Sequence, residues 1–257
     1  MKEMSRFSYK IHYTGSKGNI ASIYAGELGF LFDIGKAYKN IEPLLYDKQF
    51  IIVSHRHGDH IQWSTYKRIR EFFPHIKVIA NDEVNQQLIK RKLKPVDVVI
   101  HDDMQIMIGD VKITFLQNYH GDKQGDPENY AENHGMIMEC KNEVLLFATD
   151  LSTTIDYQMY LDKHNLKVDY LLLENNYNPQ VIEFYESSKN HTGYSIFSNG
   201  SYRHLPCTEH QMMIDKYLKK DGVYEELHQS ETYSSFEGLI KRSEGKITME
   251  DVRAWMG

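Results

Sequence analysis

The sequence predicts an α/β fold, and three observations carry that expectation. Short β-branched runs alternate with helical stretches along most of the chain. The apolar run 49–54 leads directly into His55-Arg56-His57-Gly58-Asp59-His60, so a dense set of polar donors sits where a strand gives way to a loop. Apolar residues make up 41% of 257, enough for a full core, and no low-complexity tract or linker divides them. The expectation is one domain over 1–257, with residues 211–257 as a helical C-terminal extension.

Residues 7–13 and 20–24 read as strands joined by Thr14-Gly15-Ser16-Lys17-Gly18-Asn19, a plain β-turn that is neither a Walker loop nor a dinucleotide fingerprint. A third strand, 29–32, ends at Asp33, which serves either as support for a ligand or as a helix cap. Residues 37–46 have helical character and lead into the strand before the histidine cluster. In an extended segment His55 and His57 point the same way, and Gly58 then lets the chain turn so that Asp59 and His60 aim at a second point. A histidine-rich surface loop is the bland alternative. Four donors in six residues argue for divalent metal instead.

Helix 64–73, strand 77–80, helix 82–92 and strands 96–100, 105–108 and 111–117 follow, separated by Asp-Asp and Gly-Asp turns. His120 lies just past the last of these, the same position His55 holds, and is preferred as a ligand over His134, which opens the next strand. Strand 144–148 ends at Asp150, read as a bridging carboxylate with a helix N-cap as the alternative. Strand 168–173 ends at Glu174-Asn175-Asn176-Tyr177, which lines a cleft or makes a turn. Helix 178–188 comes next. Of His191, His204 and His210, one is needed to complete a second metal site, and His210 begins helix 211–218. The tail shows a capping-box pattern at Ser234 to Glu237 and a helix over 248–256.

The formal charge of −6 gives no basic footprint for generic nucleic-acid binding. No segment approaches the roughly 20 apolar residues of a membrane span. Cys140 and Cys207 supply no disulfide framework, so a soluble, cytoplasmic protein is expected. Cys207 reads as a buried apolar residue.

His55-x-His57-x-Asp59-His60, with Asp33 before it and His120, Asp150 and a late histidine after it, resembles the metallo-β-lactamase fold superfamily over about residues 7–210. The Gly-rich turn at 14–19, Leu171-Leu172-Leu173-Glu174-Asn175-Asn176 and His204-Leu205 are similar to the small stand-alone nuclease-like branch. The resemblance implies a four-layer αβ/βα sandwich of two mixed sheets flanked by helices. It also implies His55, His57 and His120 on one metal, Asp59, His60 and His204 on the other, and Asp150 bridging. Pro206 after His204-Leu205 and the long loop after His120 depart from the branch pattern.

Two divalent cations, zinc first and manganese second, would hold a bridging hydroxide for attack on a phosphodiester, with Asp59 and His204 as catalytic groups. The expected substrate is nucleic acid. A cyclic mononucleotide is the alternative, favoured by the acidic charge and the eighteen tyrosines. Ester, thioester or lactone hydrolysis and a non-catalytic binding module are further alternatives. A homodimer through the tail is a further expectation.

Overall fold

The computed structural model describes residues 7–120, 131–188 and 200–257. Two mixed sheets of six strands form, with helices on their outer faces. The first runs in spatial order through β1 (Phe7–Tyr13), β2 (Ile20–Ala25), β3 (Leu28–Phe32), β4 (Phe50–Val53), β5 (Lys77–Asn81) and β6 (Val98–Ile100). Its first three strands are antiparallel and the rest parallel. The second contains β7 (Gln105–Ile108), β8 (Val111–Gln117), β9 (His134–Cys140), β10 (Glu143–Ala148), β11 (Val168–Glu174) and β12 (Leu218–Leu227). Here β7 to β10 are antiparallel, while β10, β11 and β12 are parallel.

Strand alternation explains the layers. Phe30, Phe32 and Ile52 point between the sheets and meet Phe115, Met136, Phe147 and Leu172, with the Phe32 and Phe147 rings 4.8 Å apart. The intervening Leu31, Ile51 and Val53 face outward onto α1 (Tyr38–Ile41), α2 (Trp63–Phe72) and α3 (Asp82–Lys90). On the second sheet Leu146, Leu171 and Leu173 pack under α4 (Ile155–His164) and under Cys207–Tyr217, here α6, which follows α5 (Pro179–Ser187). Central strands buried on both faces read as continuous apolar runs. Each such side chain contributes about 1.5–3 kcal/mol on burial. The result is the four-layer sandwich that the resemblance implies.

A fourth apolar cluster joins Ile182 and Phe184 of α5 to Leu239 of α7 (Phe236–Arg242) and Val252 of α8 (Met249–Met256).

Four local expectations differ from what is observed. The segment 211–257 is not wholly helical, because β12 lies within it and pairs in parallel with β11. Its Lys219, Lys220, Asp221, Glu225 and Glu226 are the charges that keep an edge strand from aggregating, and they hide its strand character. The stretch 37–46 is only the four residues of α1 and a 3₁₀ turn, Glu42–Leu44, since Pro43 has no N–H to continue an α-helix. The cap of α7 is Ser235, which accepts from Gly238 N–H, one residue past the expected box, and a true capping box closes Thr248 onto Asp251 ahead of α8. Gly58 has no left-handed φ and a side chain there would meet nothing, so the turn after His57 does not require glycine.

Candidate metal centre

Most polar side chains of the site come from carboxyl ends of strands: Asp33 after β3, His55 to His60 after β4, His120 after β8, Asp150 after β10, Glu174 ending β11 and His228 after β12. Asp33, Asp150 and His228 adopt left-handed φ of 58°, 57° and 52°. Non-glycine residues rarely sit there, and strain of this kind concentrates where a side chain must be aimed.

His55, His57 and His120 form the first donor group, with candidate ligand atoms within 4.8 Å of one another. His55 Nε2 and His57 Nδ1 converge at 2.8 Å. His120 Nδ1 lies 3.2 Å from the Arg203 carbonyl, which can only accept, so Nδ1 carries the proton and Nε2 keeps its lone pair for the site. Burial holds His55 well below the ordinary histidine value, lowers His57, and takes His120 to about 4. All three are neutral at neutral pH, the form that ligates metal.

The second group is Asp59, His60 and His228. His60 is fully buried; its Nδ1 faces Asp33 Oδ2 at 2.7 Å and its Nε2 faces Asp150 Oδ2 at 2.9 Å. Burial opposes a charge on His60, but Asp150 and Asp33 outweigh it and raise its pKa well above the ordinary value. Asp150 lies between the groups, with Oδ1 3.9 Å from His120 Nε2 and 3.5 Å from His228 Nε2. Despite its burial, His228 and His60 keep it ionised well below the carboxylate range.

The donor set fits divalent cations. His228 Nε2 is buried and has no hydrogen-bond partner, yet it points towards Asp59 and Asp150. Asp33 and Asp150 face His60, and Asp59, Asp150 and Glu174 face His228; burial opposes a charge on either ring, but these carboxylates outweigh it and raise both well above the ordinary histidine value. Positive charge is what such a pocket requires. His55, His57 and His120 would hold one ion, Asp59, His60 and His228 the other, and Asp150 would reach both.

His204 stands elsewhere than expected. It falls in a group with Asp150, Glu174 and His228, not with Asp59 and His60. Its Nδ1 is taken by Glu174 Oε1 at 2.7 Å, and its ring stacks on that of His228 with centroids 4.9 Å apart. Glu174 also lies 3.2 Å from His228 Nδ1. His228, which the sequence pattern does not single out, repeats the rule of a histidine just past a strand, but behind a strand too charged to recognise. His210 is inside α6 with Nδ1 on the Glu174 carbonyl, His134 pairs with Asp102 at 2.8 Å, and His191 lies outside the described residues.

Two open alternatives also resolve. Neither Asp33 nor Asp150 caps a helix, since the N-caps of α1 and α4 are Ala37 and Thr154. The 14–19 turn is more than a connection: Asn19 Nδ2 lies 2.9 Å from His60 Nε2, and Thr14 Oγ1 accepts the His228 N–H at 2.7 Å.

The sequence matches the family model of the beta-lactamase superfamily domain over residues 34–195. No curated protein matches it. Among solved structures it is similar to the metallo-beta-lactamase fold protein YhfI from Bacillus subtilis, at 17% identity and TM-score 0.64, covering 93% of this chain and 91% of that one. A diphosphatase of the PhnP family is similar at 15% identity and TM-score 0.60, over 91% and 90%. Human tRNase Z, short form, is similar at 12% identity and TM-score 0.58, over 86% and 92%. Among the described residues no helix is long and apolar enough to cross a membrane.

Proposed function

The chain belongs to the β-lactamase superfamily, and from that premise we propose that it is a dinuclear metal-dependent phosphodiester hydrolase acting on nucleic acid. The observation that carries this is the His204–Glu174 pair, 2.7 Å apart, set beside a donor set already complete without His204. Cleaving a phosphodiester expels an alkoxide, a poor leaving group that needs a proton as it departs. With Nδ1 donating to Glu174, Nε2 is the nitrogen of His204 left to exchange a proton, and in the imidazolium form it gives that proton to the leaving oxygen and returns to the neutral Nδ1–H tautomer. Bound at the two donor groups, divalent cations would supply a nucleophile from water at neutral pH and neutralise charge on the phosphoryl oxygens.

Asp59 has the complementary role. Burial pushes its pKa up, but His228 and His60 outweigh that and lower it, so its carboxylate is ionised and can take the proton from the attacking water. One side of the site accepts a proton and the other gives one. The relatives whose names state a phosphorus substrate, the diphosphatase and tRNase Z, are consistent with this chemistry.

A cyclic mononucleotide is the second reading, favoured by a cavity of about 400 Å³ beside His204, within the range of small-ligand sites. Hydrolysis of single- and double-stranded DNA, RNA and 3′,5′-cyclic mononucleotides by zinc- or manganese-loaded protein decides, with His57→Ala/Asp59→Ala as the blank. Polymer cleavage supports the nuclease, cyclic-nucleotide opening alone supports the second reading, and no reaction with either ends phosphodiester chemistry as the assignment.

A further inference from the structure

We infer that the leaving-side arm of a single-stranded polynucleotide runs through a trough built by the C-terminal segment, with Lys17 and Arg242 as its phosphate contacts; this rests on the phosphodiesterase reading above. The trough consists of two cavities that share a wall. One, of about 400 Å³, begins at His204 and Asn176 and is bordered by Thr14, Ser16 and Ser230. The other, of about 330 Å³, extends to Tyr185 and Lys246. Thr232, Tyr233 and Arg242 line both, so the two cavities adjoin along one face of the C-terminal segment.

Polarity follows from His204. A group that protonates the departing oxygen must face the departing segment, and His204 lines this trough. Charge points the same way. Lys17, Arg242 and Lys246 border the trough against Glu231 and Glu244. The cavity at Tyr119, about 630 Å³, presents Asp102, Asp103, Asp156 and Asp162 against Lys163. A polyanion is repelled there and accepted at the trough, although the whole chain carries −6. Tyr185 is half-buried and edge-on to Tyr233 at 5.7 Å, which offers a ring to an unpaired base. The bases of a single strand are free to stack on such a ring, whereas those of a duplex already stack and pair with one another.

Lys17 Nζ is held by Glu231 Oε1 at 2.9 Å, both groups well exposed. Glu231 therefore competes with a phosphate for Lys17, which gives the test a variant that acts in the opposite direction.

The experiment is fluorescence anisotropy of the purified full chain with a labelled phosphorothioate single strand, across about 50 to 200 mM salt. Lys17→Ala and Arg242→Ala are each expected to weaken binding about tenfold and to flatten the log–log salt slope by about 0.7. Glu231→Gln is expected to tighten binding, and Lys163→Ala, at the acidic cavity, to leave it unchanged. Equal affinity and slope across all four variants overturn the trough, as does a duplex binding as tightly as the single strand. Cleavage of an ordinary oligonucleotide is scored separately. Charge-dependent binding without cleavage keeps the trough and overturns the hydrolase, while cleavage with binding indifferent to these variants does the reverse.

Discussion

His60 donates its Nδ1 proton to Asp33 Oδ2 at 2.7 Å, with both side chains buried. The same carboxylate accepts the Ser54 N–H at 2.8 Å and lies 3.0 Å from Ser54 Oγ. One aspartate at the end of β3 thus fixes both the tautomer of His60 and the start of the loop that carries the donors. Asp33→Asn is the clean test, because asparagine tolerates the left-handed φ of 58° and still accepts from Ser54. Losing the negative partner of a ligating histidine costs about 10–100-fold in metal affinity. Competition with a chromophoric chelator should show that loss; unchanged affinity would mean that Asp33 does not orient His60.

Gly35 is the point of closest approach between the β3 loop and the donor loop. A Cβ added there would lie 1.6 Å from the Asp59 carbonyl oxygen and 2.9 Å from the His60 nitrogen. Both are backbone atoms that cannot swing aside. Gly35→Ala should therefore cost about 1–3 kcal/mol or more of stability and displace two donors together. Urea unfolding measures the first effect and metal titration the second. Retained stability with normal metal uptake would show that the loops separate easily.

How much of this could be read from residue order depends on how each feature is encoded. Strands buried on both faces announce themselves as apolar runs, and contiguous donors such as His55 to His60 need no tertiary knowledge. The partner of Asp59 and His60 is different. His228 follows an edge strand whose outward positions are charged, so the periodicity that marks β4 and β8 is absent from β12. The role of the 14–19 turn was hidden for another reason: Asn19 and Thr14 act on residues 41 and 214 positions away. Local pattern carries no record of such pairings.

Asp97 binds Arg70 through two contacts, 2.5 and 3.3 Å, and accepts the Val78 N–H at 2.8 Å, tying α2 to β5. Burial would raise its pKa, but the Arg70 and Val78 hydrogen bonds lower it below the usual value. A depressed folded pKa means that the stabilisation is fully present above the unfolded value, about 3.9, and is lost as pH falls through the folded value. Asp97→Asn should cost about 1–3 kcal/mol at pH 7, with the gap to the parent closing as the pH drops below about 4. Denaturant melts at both pH values check it. A gap independent of pH would assign the effect to packing.

His204 and His228 stack with centroids 4.9 Å apart and both turn Nδ1 towards Glu174 Oε1, yet their chemistry should separate cleanly. His228 presents a buried Nε2, without a hydrogen bond, to the Asp59 and Asp150 carboxylates at 3.9 and 3.5 Å, so His228→Ala should lower bound metal from about two equivalents towards one. His204 has Nδ1 engaged by Glu174 and belongs to no group with Asp59 and His60, so His204→Ala should keep both ions. Its loss should appear in turnover, by about 10²–10⁴-fold if it protonates the leaving oxygen. The turnover deficit should shrink on a diester whose leaving group is a nitrophenolate, which departs without a proton. Elemental analysis of the two variants, beside kcat on both kinds of diester, decides the assignment. If His204→Ala loses metal while His228→Ala keeps it, the roles are exchanged and the second ion is held by His204.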